Sequence, residues 1–198
     1  MKYRPILFGG PMVKATQEGR KTQTRRVIKP QFNHKWGSGV RNGDDRYSVH
    51  VDIPNSDGTW KWLYCPYGQV GDRLWVKETF FPLSVDPVNV PLGIKYRADN
   101  DFDPHKECYG CSWRPSIHMP RWASRITLEN TNIRVERLNS ISEQDAIAEG
   151  AEPNNEIMPS AGCPHIVGFS YLWDSINGKK YPWESNPLVW VVEFKVVT

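Results

Sequence analysis

Alternating apolar positions predict several strands, and two shorter stretches predict helices. Beyond the turn signal Gly71-Asp72, residues Leu74, Val76, Glu78 and Phe80 alternate with Trp75, Lys77, Thr79 and Phe81, the period-two pattern of a strand. Arg125 to Leu138 predicts a second strand, apolar at Ile126, Leu128, Ile133, Val135 and Leu138. The Asn-Thr-Asn at 130–132 marks a bulge or turn within it. The closing run LVWVVEFKVV is apolar on both faces, as in a central or barrel-lining strand. Residues 3–8 read as a first strand or an extended entry to a helix, and residues 93–98 as a further strand.

Pro11 to Glu18 predicts a short helix with Pro in its first turn and Gly19 just past its end. Ser142 to Glu149 predicts another, with Ser142 as N-cap, Asp145 in the capping-box position and Gly150 as the stop. Phe169, Leu172, Trp173 and Ile176 follow the i, i+3, i+4, i+7 spacing of an amphipathic helix. Residues 31–60 show little periodicity and read as a long loop or weak hairpin, and loops also fill much of 82–118 and 151–167. The pattern predicts an α+β, mainly β fold: a small β-barrel or strongly bent sheet with two or three short helices.

Composition narrows the class. A chain of 198 residues suits one domain with long loops, and nine Trp, eight Tyr and sixteen Pro suit a β-rich, loop-rich fold. The net charge of +3 is small, but the cations cluster at 19–30 and 121–137. No apolar run approaches the ~18 residues of a membrane span, and the apolar part of MKYRPILFGG is too short for a signal peptide, so the expected location is cytoplasmic. Four cysteines in a chain this long favour reduced thiols or a metal over a disulfide scaffold. Cys108-x-x-Cys111 has zinc-ligand spacing and is the candidate for a structural zinc pinning the 99–117 loop. Cys65, Cys163, His105 and His165 are the available further ligands. No cofactor is expected for catalysis.

The densest chemistry lies in Gly19 to Pro30, GRKTQTRRVIKP, which holds Arg20, Lys21, Arg25, Arg26 and Lys29, two threonines among them, and no acid. Such a segment suits an anionic ligand or a Lys-activated hydroxyl, although a charge run is most often a solvated loop. His118 to Arg125 is the second candidate. Its Arg121 suits phosphate contact, while the neighbouring Trp122 reads as core as readily as stacking platform.

Gly19-Arg20-Lys21-Thr22-Gln23-Thr24-Arg25-Arg26 resembles the G-x-K-x-x-E-x-R signature of ASCH domains, which have a PUA-like β-barrel. Gly71-Asp72-Arg73-Leu74-Trp75-Val76 resembles the family's central strand and Val191-Val192-Glu193-Phe194 its closing one. Together with Pro5-Ile6-Leu7 and Met119 to Arg125, the architecture resembles ASCH proteins carried by phages and prophages. The resemblance implies one PUA-like domain over residues 1–198, with loop insertions near 31–60, 99–117 and 151–167. Thr24 replaces the signature glutamate, a variant similar to the small amidohydrolases that deacetylate N4-acetylcytidine. Carried over, the resemblance implies Lys21, Thr24 and Glu149 as catalytic residues, Glu149 through the helix Ile141 to Glu149.

Amide hydrolysis needs a nucleophile, a base to activate it and an acid for the leaving amine. Thr24 offers the hydroxyl. Lys21 serves as base only if burial or neighbouring cations lower its pKa. Glu149, at a helix C-terminus where the dipole disfavours negative charge, suits the proton donor. Gly19, Arg25, Arg26 and Arg121 complete the expected substrate-binding set, with Arg26 facing a ligand carbonyl or oxyanion. One geometric condition follows: in a straight strand Lys21 and Thr24 face opposite sides, so they converge only across a bend. Two rival readings use the same basic residues: an RNA- or nucleic-acid-binding module with a groove lined by Arg20, Arg25, Arg26, Arg121 and Arg125, or a ribonuclease. Modified nucleoside or RNA is the expected partner, with no protein partner evident.

Overall fold

The structure, a computed structural model, describes residues 1–29, 31, 36–40, 47–51, 61–85, 91–107, 111–154 and 162–197. Among them the strands are β1 Tyr3–Leu7, β2 Gln23–Val27, β3 Trp36–Val40, β4 Tyr47–Val51, β5 Lys61–Tyr64, β6 Arg73–Lys77, β7 Phe80–Val85, β8 Pro91–Tyr96, β9 Thr127–Arg137 and β10 Leu188–Val196. The helices are α1 Gly10–Gln17, α2 Pro104–Glu107, α3 Glu143–Ala148 and α4 Pro164–Asn177, with short 3-10 turns between elements. The fold is mixed and mostly sheet, with a few short helices. No helix among the described residues is long and apolar enough to cross a membrane.

Five strands form the main sheet in the order β1-β6-β9-β10-β2. β1 runs parallel to β6, while the other pairs are antiparallel. The doubly apolar β10 takes the interior place its sequence predicts, between β9 and β2, and separates two cores. Trp190, Val192 and Phe194 face a cluster with Ile6, Phe8, Val13, Leu74, Val76 and Ile133. Val189 and Val191 face Leu138, Ala146, Phe169 and Trp173 on the side of α3 and α4. β9 carries the bulge expected at 130–132: Glu193 pairs with Asn132 and Phe194 with Asn130, leaving Thr131 unmatched.

The predicted 73–81 strand is divided. Leu74, Val76, Glu78 and Phe80 are all buried, as the alternation requires, but pairing in the main sheet ends at Lys77. From Phe80 the chain enters a separate hairpin with β8. The turn is reorganised by an ion pair: Arg125 donates to both oxygens of buried Glu78 at 3.0 Å and to both of Asp99 at 2.8 Å. Glu78 therefore partners Arg125, not the basic motif. Within 31–60, read as a loop or weak hairpin, the described strands β3 and β4 pair antiparallel, and β4 pairs on with β5 just beyond.

Candidate active site

The basic motif is set in place by the end of α1. Gly19 adopts φ +75, the left-handed conformation of a helix-stop glycine, and the N–H groups of Arg20 and Lys21 both donate to Ala15 O at 2.9 Å. Thr22 N–H then donates to Ala148 O of α3, and Phe194 N–H to Thr22 O, both at 2.8 Å. β2 begins only at Gln23. Lys21 thus lies in the bend before the strand, which meets the condition for bringing it toward Thr24.

Lys21 is the central side chain, fully buried. Its Nζ donates to Gln23 O, Glu149 O and Glu149 Oε2, each at 2.8 Å. Three acceptors match the three protons of an ammonium. The Gln23 carbonyl belongs to the peptide that joins Gln23 to Thr24, so the amine sits against the backbone from which Thr24 projects. Burial pushes the Lys21 pKa down; Glu149 opposes this, Arg26 and Arg25 add to it, and the net result lies below the ordinary 10.5.

Glu149 caps the C-terminus of α3 and is buried. Oε2 accepts from Lys21, and Oε1 lies 3.5 Å from Arg25 Nη1. The two Glu149 oxygens thus each face a cationic side chain. Gly150, at φ +76, lets the chain turn tightly behind the pair. A Cβ there would meet Ala15 Cβ at 2.9 Å and Lys21 Cβ at 3.1 Å.

The two faces of β2 divide the remaining residues. Gln23 and Arg25 point toward α3. Arg25 is held by Glu136 at 3.1 Å, Asp145 at 3.3 Å and Glu149 at 3.5 Å, so its guanidinium serves to position carboxylates. Burial pushes the Asp145 carboxyl up, but Arg25, Gln23, Ser142 and Arg134 outweigh it and hold it below the ordinary range. The expected capping box is present, with Asp145 N–H donating to Ser142 Oγ at 3.1 Å. Glu143 accepts from the His165 and Ile166 N–H groups and lies 2.8 Å from His165 Nδ1, tying α3 to the start of α4.

Thr24 and Arg26 share the other face. Thr24 is buried opposite Val192. Arg26 Nη2 donates to Leu7 O at 2.6 Å. The Phe8 ring lies 5.5 Å from Lys21 Nζ and 5.8 Å from Arg26 Cζ, so the two cations share one aromatic ring. Arg26 also lines two cavities. One, about 590 Å³, continues along Ile28, Lys29, Tyr64, Tyr67, Lys179, Lys180, Tyr181 and Trp190. The other, about 260 Å³, is bounded by Pro5, Ile6, Leu7, Tyr67, Lys77 and Ile117. Among the described residues that line them, neither has Lys21, Thr24 or Glu149, and Arg26 is common to both.

Other candidates lie apart. Gly19 shapes the turn, with open space around its Cα. Arg121 packs over Tyr3 at 5.4 Å and Trp75 at 5.9 Å, on the β1–β6 face. Arg20 pairs with Glu18 and Glu152, and Arg125 with Glu78 and Asp99, while Arg25 and Arg26 both line the larger cavity. Cys108 lies outside the described residues; Cys111 is disulfide-bonded, unlike the reduced or metal-bound thiol the sequence favours. Cys65 and Cys163 are free, and burial pushes the Cys65 thiol up to about 12, as for an inert core residue. No group of three or more metal-ligating side chains occurs among the described residues. Sequence reading missed Tyr67, Lys179, Lys180 and Tyr181; the only local signal was a Lys pair after a helix-ending glycine.

No family model matches the sequence, and no curated protein does. The chain aligns with the crystal structure of an ASCH domain from Lactobacillus crispatus at 12% identity and a TM-score of 0.40, over 99% of this chain and 80% of that one.

Proposed function

We propose that the protein is an ASCH-type amidohydrolase that removes an acyl group from the exocyclic amine of an N4-acylated cytosine. The observation that carries this reading is the buried Lys21–Glu149 pair, seated on the Gln23–Thr24 peptide of the strand that carries the Thr24 hydroxyl. The reacting form of Lys21 is the neutral amine, reached when the ammonium gives up one of its three protons; Thr24 Oγ attacks the acyl carbon while this amine takes its proton. The proton passes through Glu149, hydrogen-bonded to Lys21, to the departing cytosine amine as the C–N bond breaks. Water then cleaves the acyl-threonine ester, releasing the carboxylic acid and restoring the hydroxyl. Arg26, on the same face of β2 as Thr24, orients the acyl oxygen and controls the approach from the cavities.

Incubating purified protein with N4-acetylcytidine and following cytidine and acetate by chromatography tests this directly. Equal release of both is expected. Intact substrate after prolonged incubation with folded protein would overturn the reading.

A second reading, nucleic-acid binding without chemistry, draws support from the β1–β6 face, where Arg73 and Arg121 lie over Tyr3, and Lys77 and Arg121 over Trp75. Cations interleaved with aromatic rings suit phosphate and base contacts together. Under that reading RNA affinity falls steeply with salt and is insensitive to Thr24→Ala.

A further inference from the structure

The larger cavity has a composition that the hydrolytic chemistry does not require. Among the described residues no carboxylate lines it. Its cations are Arg26, Lys29, Lys179 and Lys180, apart from Arg25, which acids already neutralise. Aromatic rings from Tyr64, Tyr67, Tyr181 and Trp190 alternate with these charges. An acid-free concave surface of this kind concentrates positive potential and favours an anion.

The lysine-bearing wall is an ordered part of the fold. Lys180 and Tyr181 N–H groups donate to Asn177 O at 3.0 and 2.9 Å, closing the chain back onto the end of α4. Tyr181 O accepts from Trp173 Nε1 at 2.8 Å, fastening the same segment to a buried tryptophan. The backbone that carries the two lysines is therefore anchored where they line the cavity. At the opposite end, Arg26 joins this surface to the Thr24 face of the same strand.

We infer that this cleft binds the phosphate of a cytidine nucleotide, so that the substrate is phosphorylated, as a free nucleotide or within a strand, and not a neutral nucleoside. The inference rests on the hydrolase reading, because it places the base toward Arg26, which shares a face of β2 with Thr24. Lys179 and Lys180 take the phosphate, and the tyrosine faces flank the sugar and any neighbouring base.

Calorimetric titration of the full chain with cytidine, cytidine 5′-monophosphate and a cytidine hexanucleotide provides the test. The monophosphate is expected to bind about tenfold tighter than cytidine, the gain of one charge-assisted phosphate contact. A Lys179→Ala/Lys180→Ala variant should lose that preference at an unchanged melting temperature. A hexanucleotide that binds more tightly still, with a log–log salt slope of about 0.7 per phosphate contacted, assigns the cleft to a strand; affinity equal to the monophosphate's assigns it to a free nucleotide. Equal binding of cytidine and its monophosphate, no binding of either, or a preference that survives in the double variant overturns the inference. Turnover is not involved, so the hydrolase reading stands or falls separately.

Discussion

Lys21 combines three features that seldom occur together: complete burial, three filled hydrogen bonds and a carboxylate partner with almost no exposure. Such a pair contributes little net stability, because desolvation offsets the attraction, but losing one member strands the other. Lys21→Met should therefore destabilise the fold by about 3–5 kcal/mol, and adding Glu149→Leu should recover part of that loss; urea denaturation of both variants checks this. The pKa direction gives a second expectation. The base is the neutral amine, so kcat/KM for N4-acetylcytidine should rise with pH through a value below 10.5. Stability has the same sign: the folded chain binds fewer protons than the unfolded one between the lowered value and 10.5, so Lys21 makes stability increase with pH across that window. A pH–rate profile without a limb below 10.5 would remove Lys21 from the base role.

At the level of elements, the site depends on the docking of α3 against the bend after α1. Thr22 N–H to Ala148 O and the tight approach of Gly150 to Lys21 fix that junction. Gly150→Ala adds a Cβ into 2.9 Å and 3.1 Å contacts at a positive φ. We expect a loss of about 2–4 kcal/mol in thermal denaturation, with turnover lost ahead of global unfolding; a variant as stable as the parent would contradict this account of the junction. Much of the framework was legible because its periodicity is local: β9 with its bulge, β10 and the capping box of α3 need only neighbouring residues. β3 was not legible, since Trp-Gly-Ser-Gly-Val carries no alternation. The parallel pairing of β1 with β6 leaves no local mark either, because its partners lie 70 positions apart.

Across the whole molecule, the candidate site joins residues from both ends of the chain: Lys21 meets Glu149 128 positions later, and Arg26 shares a cleft with Lys179 and Lys180. Periodicity alone could not pair them. The motif resemblance pointed to Lys21, Thr24 and Glu149, whereas the acid-free cleft emerged only in three dimensions. Of the five arginines expected to line one groove, Arg20, Arg25 and Arg125 are engaged by carboxylates, and Arg25 and Arg26 both line the larger cavity. Arg25, fully buried, and Arg125, partly buried, stay charged away from water and are therefore paired with acids, whereas Arg20 makes exposed ion pairs.

The central claim is that Thr24 carries the acyl group, and Thr24 can be altered without breaking the Lys21–Glu149 pair. The decisive measurement is steady-state hydrolysis of N4-acetylcytidine by the parent, Thr24→Ala and Thr24→Ser, each with its melting temperature recorded. The account expects turnover in the parent, a loss of about 10³-fold or more in Thr24→Ala at similar stability, and substantial activity in Thr24→Ser. Undiminished turnover in Thr24→Ala, or a parent protein that is folded and inert, would contradict it.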